Sequence, residues 1–442
     1  MRRQNITYRW TTLAYLSAIL FTSTSSNPTS LEPAPYPTYP PTLETRVQQI
    51  LKETPLIDGH NDLAYFLRWA YSHHIYLDNF TTPFETGGLD GQVDLIRLRQ
   101  GQVGGTFWSI YEDCPKEGNY SLEYFAKAVP IADAAVDVIH RIHALYPSTF
   151  ARPSNASDTL SIFNTGRIIS PLGLESLHLI GNSFSKLRDF HARGVRYATL
   201  THNCHNIYAD AAVFERTTGN IPAVPLWGGV SPIGRTLVRE MNRLGMLVDL
   251  SHTSADTQRD VLGGHPEEWE GSLAPPMFSH SSVFALCPHP RNVPDDVLQL
   301  VKARRGVVMV NFWKGFVGCR WPGNGTAVPG QLPGDYTPNQ TLSYVVRHIR
   351  YIGDLIGYDY VGLGSDFDGV PSAIEGLEDV SKFPNLVAEM LRQGIKEADV
   401  RKIVGENILR VWSEVDEVAA RLQAEGALPA EDDLAWVPNP WT

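Results

Sequence analysis

Short β-rich runs alternate eight times with longer amphipathic segments, and this pattern constrains the fold of the chain more than any other feature. The β-rich runs are Pro55–Gly59, Gly105–Tyr111, Ser170–Leu174, Val195–Thr201, Met246–Leu250, Pro276–Ser279, Gly306–Phe312 and Tyr360–Ser365. The segments between them include the helical patterns Leu122–Leu145, Ser231–Leu244, Pro294–Arg305 and Leu342–Ile356. This alternation predicts an α/β fold, a (β/α)8 TIM barrel, with an open doubly wound sheet as the alternative. Gly245 and Gly306 are expected at helix C-caps.

The length and composition of the chain are consistent with one such barrel. A barrel with insertions can exceed roughly 400 residues, so 442 residues require no second domain. The hydrophobic fraction of 43% and the charged fraction of 19% are typical of globular proteins and exclude a disordered chain. The formal net charge of −11 favours solubility and gives no support for nucleic acid as a partner.

The two ends of the chain differ in composition from the part between them. Residues 1–26 run from basic through apolar to small and polar residues, which is the order of a secretory signal peptide. The apolar stretch Leu13–Phe21 is shorter than the about 20 residues that cross a bilayer, so an uncleaved N-terminal anchor is less favoured. We expect a Pro-rich linker at 27–42, a single (β/α)8 domain at 43–425 and an acidic tail at 426–442. That tail lacks the apolar segment of a lipid-anchor signal.

Two further features favour the secretory pathway. Five glycosylation sequons lie beyond the signal segment, at Asn79, Asn119, Asn155, Asn324 and Asn339. The four cysteines are Cys114, Cys204, Cys287 and Cys319. An even, low count in an oxidising compartment indicates two disulfides, with four buried thiols as the alternative. Spacing alone leaves all three pairings open.

Polar residues able to bind metal or transfer protons follow most of the β-rich runs. They are His60-Asn61-Asp62, Glu175, His202, His252, His280 and Asp366-Phe367-Asp368. In a barrel the C-terminal strand ends meet at one mouth, where enzymes of this fold place their sites. We therefore expect these residues to form one cluster. Each residue alone is weak evidence for a site, because one buried histidine is usually structural and Glu175 alone could be an exposed loop residue.

The residue types in this cluster indicate two metal ions. His60 and Asp62 are two residues apart, so on a strand they point to the same face. His252 and His280 end successive runs and are expected to share a second ion. Three histidines and two carboxylates exceed the three protein ligands of a catalytic zinc, so Glu175 is expected to bridge two ions. Nitrogen and carboxylate ligands favour zinc, although manganese or cobalt would fit.

Seven segments carry a resemblance to a known family. They are Asp58–Leu63, Gly173–Glu175, Leu200–Cys204, Val248–His252, Phe278–Ser282, Arg291–Asp296 and Gly364–Val370. In these segments and their order the chain resembles the membrane (renal-type) dipeptidases, zinc metallopeptidases of the dinuclear amidohydrolase-like barrel type. The resemblance implies two Zn²⁺ held by His60, Asp62, Glu175, His252 and His280, with Glu175 bridging. It also implies the disulfides Cys114–Cys204 and Cys287–Cys319.

The resemblance further implies Glu175, Asp366 and His202 as catalytic residues, and substrate contacts from His202, Arg291 and Asp366. Arg291 offers a rigid fork for a substrate carboxylate, although alone it could be a solvated loop charge. Asp366 can hold the free amine and pass a proton to the leaving nitrogen. His202 can stabilise the oxyanion. Asp368 is expected to play a supporting role.

The chain departs from the family pattern beside two of these residues. Where many members have Glu-Gly-Gly-His, this chain has Glu175-Ser176-Leu177-His178, which is expected to narrow the space beside the bridging ligand. His178 itself either orients a ligand or is a loop residue. Pro288-His289-Pro290 precedes Arg291 and is expected to stiffen or reshape the carboxylate clamp. The resemblance also suggests a homodimer, but there is no fifth cysteine for an inter-subunit disulfide.

The resemblance thus predicts a secreted zinc-dependent dipeptidase that hydrolyses unblocked dipeptides by a metal-bridging hydroxide. One alternative is a dedicated cysteinyl-glycine or thioether peptidase of a biosynthetic pathway. Another dinuclear amidohydrolase is less favoured, because strand one carries His-x-Asp rather than His-x-His and a glutamate takes the place of a carboxylated lysine. A binding protein that kept the barrel is disfavoured, because all five ligand positions are filled.

Overall fold

Eight parallel strands form the centre of the structure, a computed structural model that describes residues 41–115, 122–323 and 325–433. The strands are β1 (Leu56–Asn61), β2 (Val103–Ile110), β3 (Leu172–Glu175), β4 (Val195–Thr199), β5 (Leu247–Asp249), β6 (Met277–Phe278), β7 (Val307–Val310) and β8 (Val361–Leu363). Each of the eight predicted β-rich runs overlaps one of them. Every strand pairs in parallel with its neighbours in chain order.

The sheet is closed, because β1 also pairs with β8. Asp58 lies opposite Leu363, and the same strand pairs with β2 on its other side. Closure confirms the predicted (β/α)8 barrel, and the open doubly wound alternative is wrong. Two short strands, Phe150–Ala151 and Ile168–Ile169, extend the sheet next to β2.

Helices alternate with the barrel strands. They are α1 (Leu43–Glu53), α2 (Leu63–Tyr71), α3 (Asp78–Thr86), α4 (Leu95–Gln100), α5 (Leu122–Leu145), α6 (Thr159–Asn164), α7 (Phe184–Ala192), α8 (Pro232–Leu244), α9 (Ala255–Val261), α10 (Asp295–Ala303), α11 (Lys314–Val317), α12 (Leu342–Ile356), α13 (Phe383–Arg392), α14 (Glu397–Arg401) and α15 (Asn407–Ala424). The four predicted helical patterns correspond to α5, α8, α10 and α12. The described residues from Thr42 onward form one compact unit.

Helix α8 shows how local sequence sets the element boundaries. The Ser231 hydroxyl accepts a hydrogen bond from the Gly234 amide, and Pro232 occupies the first helical position. Gly245 ends the helix with a φ of 80°, in the left-handed region, as predicted. The apolar side chains Leu237 and Met241 are buried. Capping and amphipathicity therefore agree on the same boundaries.

The prediction for Gly306 is correct in part: its amide donates to the Val301 carbonyl at 2.9 Å at the end of α10, but it is not the cap residue. Helix α10 ends earlier, with Arg304 at its C-cap, and Arg305 takes the left-handed conformation with a φ of 57°. Gly306 instead lies where the chain enters β7. A Cβ atom there would come within 2.5 Å of the Pro276 carbonyl oxygen, so the glycine allows β7 to approach the neighbouring strand.

Apolar side chains fill the barrel below its C-terminal mouth. Ile57, Phe107, Leu247 and Met309 belong to one buried cluster in which Trp412 of α15 also takes part. The rings of Phe107 and Trp412 lie 5.5 Å apart. Because this layer fills the interior, it leaves the C-terminal ends of the strands as the place for a polar site.

Two disulfides link loops at the mouth of the barrel. Cys114–Cys204 joins the segments after β2 and β4, and Cys287–Cys319 joins those after β6 and β7. This pairing is the one that the family resemblance implies. Two short antiparallel pairs, Val213–Phe214 with Ile221–Pro222 and Cys319–Arg320 with Gly334–Asp335, lie in the loops after β4 and β7.

The predicted glycosylation sites and the two ends of the chain lie only partly within the described residues. Asn79 and Asn155 are exposed and Asn339 is partly exposed, whereas Asn119 and Asn324 lie outside the described residues. The predicted signal segment, all of the linker up to residue 40 and the tail from residue 434 also lie outside them. Within the described ranges, no helix combines the length and hydrophobicity needed to cross a bilayer.

Candidate active site

The residues predicted at the strand ends meet at the C-terminal mouth of the barrel. His60 lies in β1 and Glu175 ends β3, while His202, His252, His280 and Asp366 follow β4, β5, β6 and β8. A cavity of about 600 Å³ opens above them. Asp62, Glu175, His202, His252, Arg291 and Asp366 are among its lining residues. The structure therefore brings the predicted residues into one cluster.

Glu175 lies at the centre of this cluster, and its two carboxylate oxygens face different partners. Oε2 is 3.5 Å from His60 Nε2, which in turn is 3.1 Å from Asp62 Oδ2. Oε1 is 3.1 Å from His252 Nε2 and 3.6 Å from His280 Nε2. The carboxylate thus stands between two ligand sets, and at 4% exposure it is no exposed loop residue.

The cluster fits divalent cations. His60 Nε2 and Asp62 Oδ1 are buried without a hydrogen-bond partner among the described residues. Nε2 of His252 and Nε2 of His280 lie only 3.0 Å apart. Burial raises the pKa of the Glu175 carboxyl and lowers the pKa of both histidines. Neutral imidazoles and a buried carboxylate at these distances could hold a divalent cation between them, and nitrogen with oxygen ligation suits Zn²⁺.

Hydrogen bonds to Nδ1 aim each imidazole so that Nε2 faces the centre. His60 Nδ1 is 2.7 Å from the Tyr197 hydroxyl, and His252 Nδ1 is 3.0 Å from Asn203 Oδ1. His280 Nδ1 is 2.8 Å from the hydroxyl of the preceding residue, Ser279. Outer partners of this kind fix the ring and its tautomer. Sequence reasoning missed these three partners, although Asn203 and Ser279 each adjoin a predicted histidine.

Arg291 presents an incompletely paired guanidinium to the cavity. The side chain is 2% exposed and lies 4.9 Å from the Phe316 ring. One nitrogen donates to Ser281 Oγ at 3.3 Å, whereas Nε and the other terminal nitrogen have no partner among the described residues. Burial lowers the pKa of Arg291 to about 10, so the group stays cationic at neutral pH. The alternative of a solvated loop charge is wrong for this residue.

Asp366 and His202 are the other two polar groups at the cavity wall. The Asp366 carboxylate accepts a hydrogen bond from Asn311 Nδ2 at 2.8 Å, and burial raises its pKa. His202 Nε2 is 3.8 Å from Glu175 Oε1, and its ring packs against Tyr111 at 4.7 Å. Burial also lowers the pKa of His202, so this imidazole is neutral. A carboxyl able to exchange a proton and a neutral imidazole thus lie beside the cluster that could hold metal.

A family model for membrane dipeptidase (peptidase family M19) matches residues 44–426. The chain belongs to the membrane dipeptidase family. It is therefore a metallo-dipeptidase, which excludes the binding-protein alternative. The chain is 43% identical over 391 residues to dipeptidase aclJ of Aspergillus oryzae, covering 88% of this chain and 84% of that protein. It is 43% identical over 385 residues to dipeptidase tcpJ of Claviceps purpurea, covering 87% and 81%.

The barrel matches a solved member of the same family. The metallopeptidase called dipeptidase AC is 27% identical to this chain and superposes with a TM-score of 0.66. The match covers 82% of this chain and 98% of that structure. The relatives and the family model together make this chain a metal-dependent hydrolase with dipeptide substrates.

The departures of this dipeptidase from the family pattern occupy different places around the site. Ser176 and His178 are buried and bonded to each other at 2.8 Å, and neither is among the described residues that line the cavity. These two side chains therefore form no part of the cavity lining, and the narrowing of the space beside Glu175 stays a prediction. By contrast, His289 does line the cavity. The Gln92 amide donates to Asp368 Oδ1 and the Asp368 amide donates to Gln92 Oε1, each at 2.6 Å. These two hydrogen bonds join two loops.

Proposed function

We propose that this dipeptidase hydrolyses unblocked dipeptides with two Zn²⁺ per chain bridged by Glu175. The observation that carries the proposal is that the two Glu175 oxygens face separate ligand sets. The first set is His60 with Asp62, and the second is His252 with His280. Two ions held in this way would supply a Lewis acid and a water of lowered pKa.

The side chains around the cavity bind the two ends of the substrate. The unpaired nitrogens of Arg291 receive the C-terminal carboxylate. Asp366 holds the free amine as a carboxylate, takes up the proton that the attacking water releases and passes it to the leaving nitrogen, and its raised pKa favours this uptake. His202 stabilises the oxygen that gains negative charge during attack on the peptide carbonyl. Asn311 keeps the Asp366 carboxyl in place through its amide.

Recognition of both termini limits the length of the substrate. A third residue moves the carboxylate away from Arg291 or the amine away from Asp366, because both groups are fixed to the barrel mouth. An N-acetyl group removes the positive charge that Asp366 binds. We therefore expect only unblocked dipeptides to be cleaved efficiently.

The experiment that tests this function compares release of free amino acids from Ala-Ala, N-acetyl-Ala-Ala and Ala-Ala-Ala. Each reaction is run with and without chelator, and bound metal is counted by elemental analysis. We expect chelator-sensitive cleavage of Ala-Ala alone and two zinc ions per chain. Equal cleavage of the blocked or longer peptide would show that the clamp roles of Arg291 and Asp366 are wrong. One ion per chain at full activity would refute the bridging role of Glu175.

The size of the cavity favours one alternative substrate class. About 600 Å³ lined by the aromatic side chains of Tyr65, Tyr111, Trp313 and Phe316 leaves room for a side chain larger than a methyl group. A cysteinyl-glycine carrying a bulky thioether fits this description. S-benzyl-cysteinyl-glycine, compared with cysteinyl-glycine, tests the idea. A higher kcat/KM for the benzyl conjugate would support a dedicated thioether peptidase, whereas a lower value would refute it.

We also propose that the enzyme is secreted, N-glycosylated and dimeric. The two disulfides support an oxidising compartment, and Asn79 and Asn155 are exposed. The homodimer rests on the family resemblance alone. Endoglycosidase treatment of protein collected from the culture medium should lower its mass, and light scattering should give twice the chain mass. An unchanged mass would refute glycosylation, and retention in the cell would refute secretion. A particle with the mass of one chain would refute the dimer.

A further inference from the structure

His289 lies beside Arg291 on the wall of the cavity. Its ring is 4.8 Å from the ring of Phe316, and the Arg291 guanidinium is 4.9 Å from that same ring. His289 is 7% exposed and belongs to the cavity lining. The two side chains therefore share one aromatic support and face the same space.

The hydrogen bonds of His289 fix its tautomer. The Arg291 amide donates to His289 Nδ1 at 3.1 Å, so Nδ1 is an acceptor and carries no proton. Burial and the charge of Arg291 lower the pKa of His289 to about 3, so the ring is neutral at physiological pH. A neutral imidazole that accepts at Nδ1 carries its proton on Nε2. Nε2 has no hydrogen-bond partner in the described part of the chain.

The backbone around His289 is held from several directions. Pro288 and Pro290 flank it and restrict its conformation. Its amide donates to the Cys287 carbonyl at 2.8 Å, and its carbonyl accepts from the Asn292 amide at 2.9 Å. Cys287 is itself anchored by a disulfide. The Nε2–H donor is therefore placed before substrate arrives, and little conformational entropy is lost on binding.

We infer that His289 Nε2–H donates a hydrogen bond to the C-terminal carboxylate of the dipeptide, next to the contacts from Arg291. His289 is thus a specificity-determining residue for substrates that end in a free carboxylate. The inference rests on the proposed function, because it takes Arg291 as the carboxylate site. A carboxylate has about four lone-pair directions, so the unpaired Arg291 nitrogens leave room for a further donor.

The test compares an unblocked dipeptide, Ala-Ala, with its C-terminal amide in wild-type enzyme and in His289→Asn. Asparagine keeps an acceptor oxygen near the position of Nδ1 for the Arg291 amide, but it lacks the Nε2–H. A hydrogen bond to a charged group makes us expect a roughly 10-fold or greater rise in KM for Ala-Ala. The kcat should change by less than about 2-fold, and the amide kinetics should not change. Discrimination between the two substrates should fall by the same factor.

Two further variants make the result interpretable. His143→Asn removes another buried imidazole, which packs on Phe150 at 5.6 Å and has a pKa lowered by burial to about 3. It lies outside the cavity and should leave the discrimination unchanged. His289→Gln places an N–H donor near the position of Nε2 and should restore part of the lost discrimination.

The outcomes separate the inference from the proposed function. If His289→Asn keeps the wild-type ratio of kcat/KM between dipeptide and amide, the inference is overturned. Equal loss on both substrates, without rescue in His289→Gln, would show a purely structural role and would also overturn it. If wild-type enzyme cleaves dipeptide and amide equally well, the Arg291 carboxylate site of the proposed function fails as well.

Discussion

The hydrogen bond between Tyr197 and His60 allows a quantitative test of how the metal site is built. The hydroxyl lies 2.7 Å from His60 Nδ1, and both side chains are completely buried. Burial also raises the pKa of Tyr197, so the hydroxyl stays neutral. A metal ion held by Nε2 together with Asp62 and Glu175 would use the Nε2 lone pair, so Nδ1 would carry the proton and donate it to the tyrosine oxygen. Tyr197→Phe removes this acceptor and leaves the ring in place.

The expected magnitude follows from the burial of the pair. Leaving the His60 N–H without an acceptor costs about 1–3 kcal/mol, because water cannot replace the hydroxyl there. Losing an outer partner of a metal ligand typically lowers metal affinity about 10- to 100-fold, and about 1.4 kcal/mol corresponds to 10-fold. The two estimates agree. We expect one of the two metal-binding steps to weaken by this factor and the other to change by less than about 2-fold.

The assay is a competition titration of the metal-free protein with Zn²⁺ and a chelator of known affinity, followed by activity at each metal level. Tyr208→Phe is the matched control, because Tyr208 is equally buried and its hydroxyl has no partner in the described structure. The control should keep both binding steps. Equal affinities in the two variants would refute the role of the Tyr197 hydroxyl in orienting His60.

Three other substitutions test separate parts of the structure. Glu175→Gln should lower bound metal below two ions per chain and should lower activity by more than about 100-fold. It should not lower the melting temperature of the metal-free protein, because burial raises the pKa of this carboxyl and so favours its neutral form. Gly173→Ala should destabilise the protein by about 1–3 kcal/mol in denaturant titrations, because a Cβ would overlap the Tyr197 ring. His143→Leu should weaken the acid sensitivity of folding. Burial lowers the pKa of His143 to about 3, so below about pH 6.5 the unfolded state binds a proton that the folded state does not. As the pH falls from about 6.5 toward 3, this group therefore lowers the free energy of unfolding of the wild-type protein by about 1.4 kcal/mol per pH unit. An unchanged metal count in Glu175→Gln would contradict the first expectation. An unchanged stability in Gly173→Ala would contradict the second, and an unchanged pH dependence of stability in His143→Leu the third.

The barrel could be predicted because strand and helix alternation is a local property of the sequence. The exact ends of the strands were harder to predict from the sequence. The run Pro276–Ser279 contains only the two-residue strand β6, because the Ser279 amide turns to the Asp249 carboxylate at 2.8 Å instead of continuing the ladder. Glu175 lies inside β3 rather than after it. Where a strand ends depends on side chains from its neighbours, which a local pattern does not contain.

That the candidate metal ligands lie together could be predicted from polar residues at strand ends, whereas most of the partners that orient them could not. Tyr197 reaches His60 from β4 through the barrel interior, and the contact needs a glycine at position 173 to make room for the ring. Such a contact depends on register and closure. Asn311 is different, because it directly follows β7 and bonds to Asp366. The predicted run Gly306–Phe312 extended two residues beyond the strand and so placed Asn311 inside it, which is why the same reasoning about strand ends missed this residue.

Two equivalent side-chain contacts explain how neighbouring strands hold their site residues in register. Asp58 of β1 accepts hydrogen bonds from the amide and hydroxyl of Ser365, at 2.7 and 2.5 Å, and Asp249 of β5 does the same with Ser279, at 2.8 and 2.6 Å. Each serine immediately precedes a site residue, Asp366 or His280. Both contacts lie entirely within the protein, so folding rather than metal sets the spacing of these strand ends. The metal-free enzyme should therefore keep its barrel, and adding metal back should restore activity without refolding.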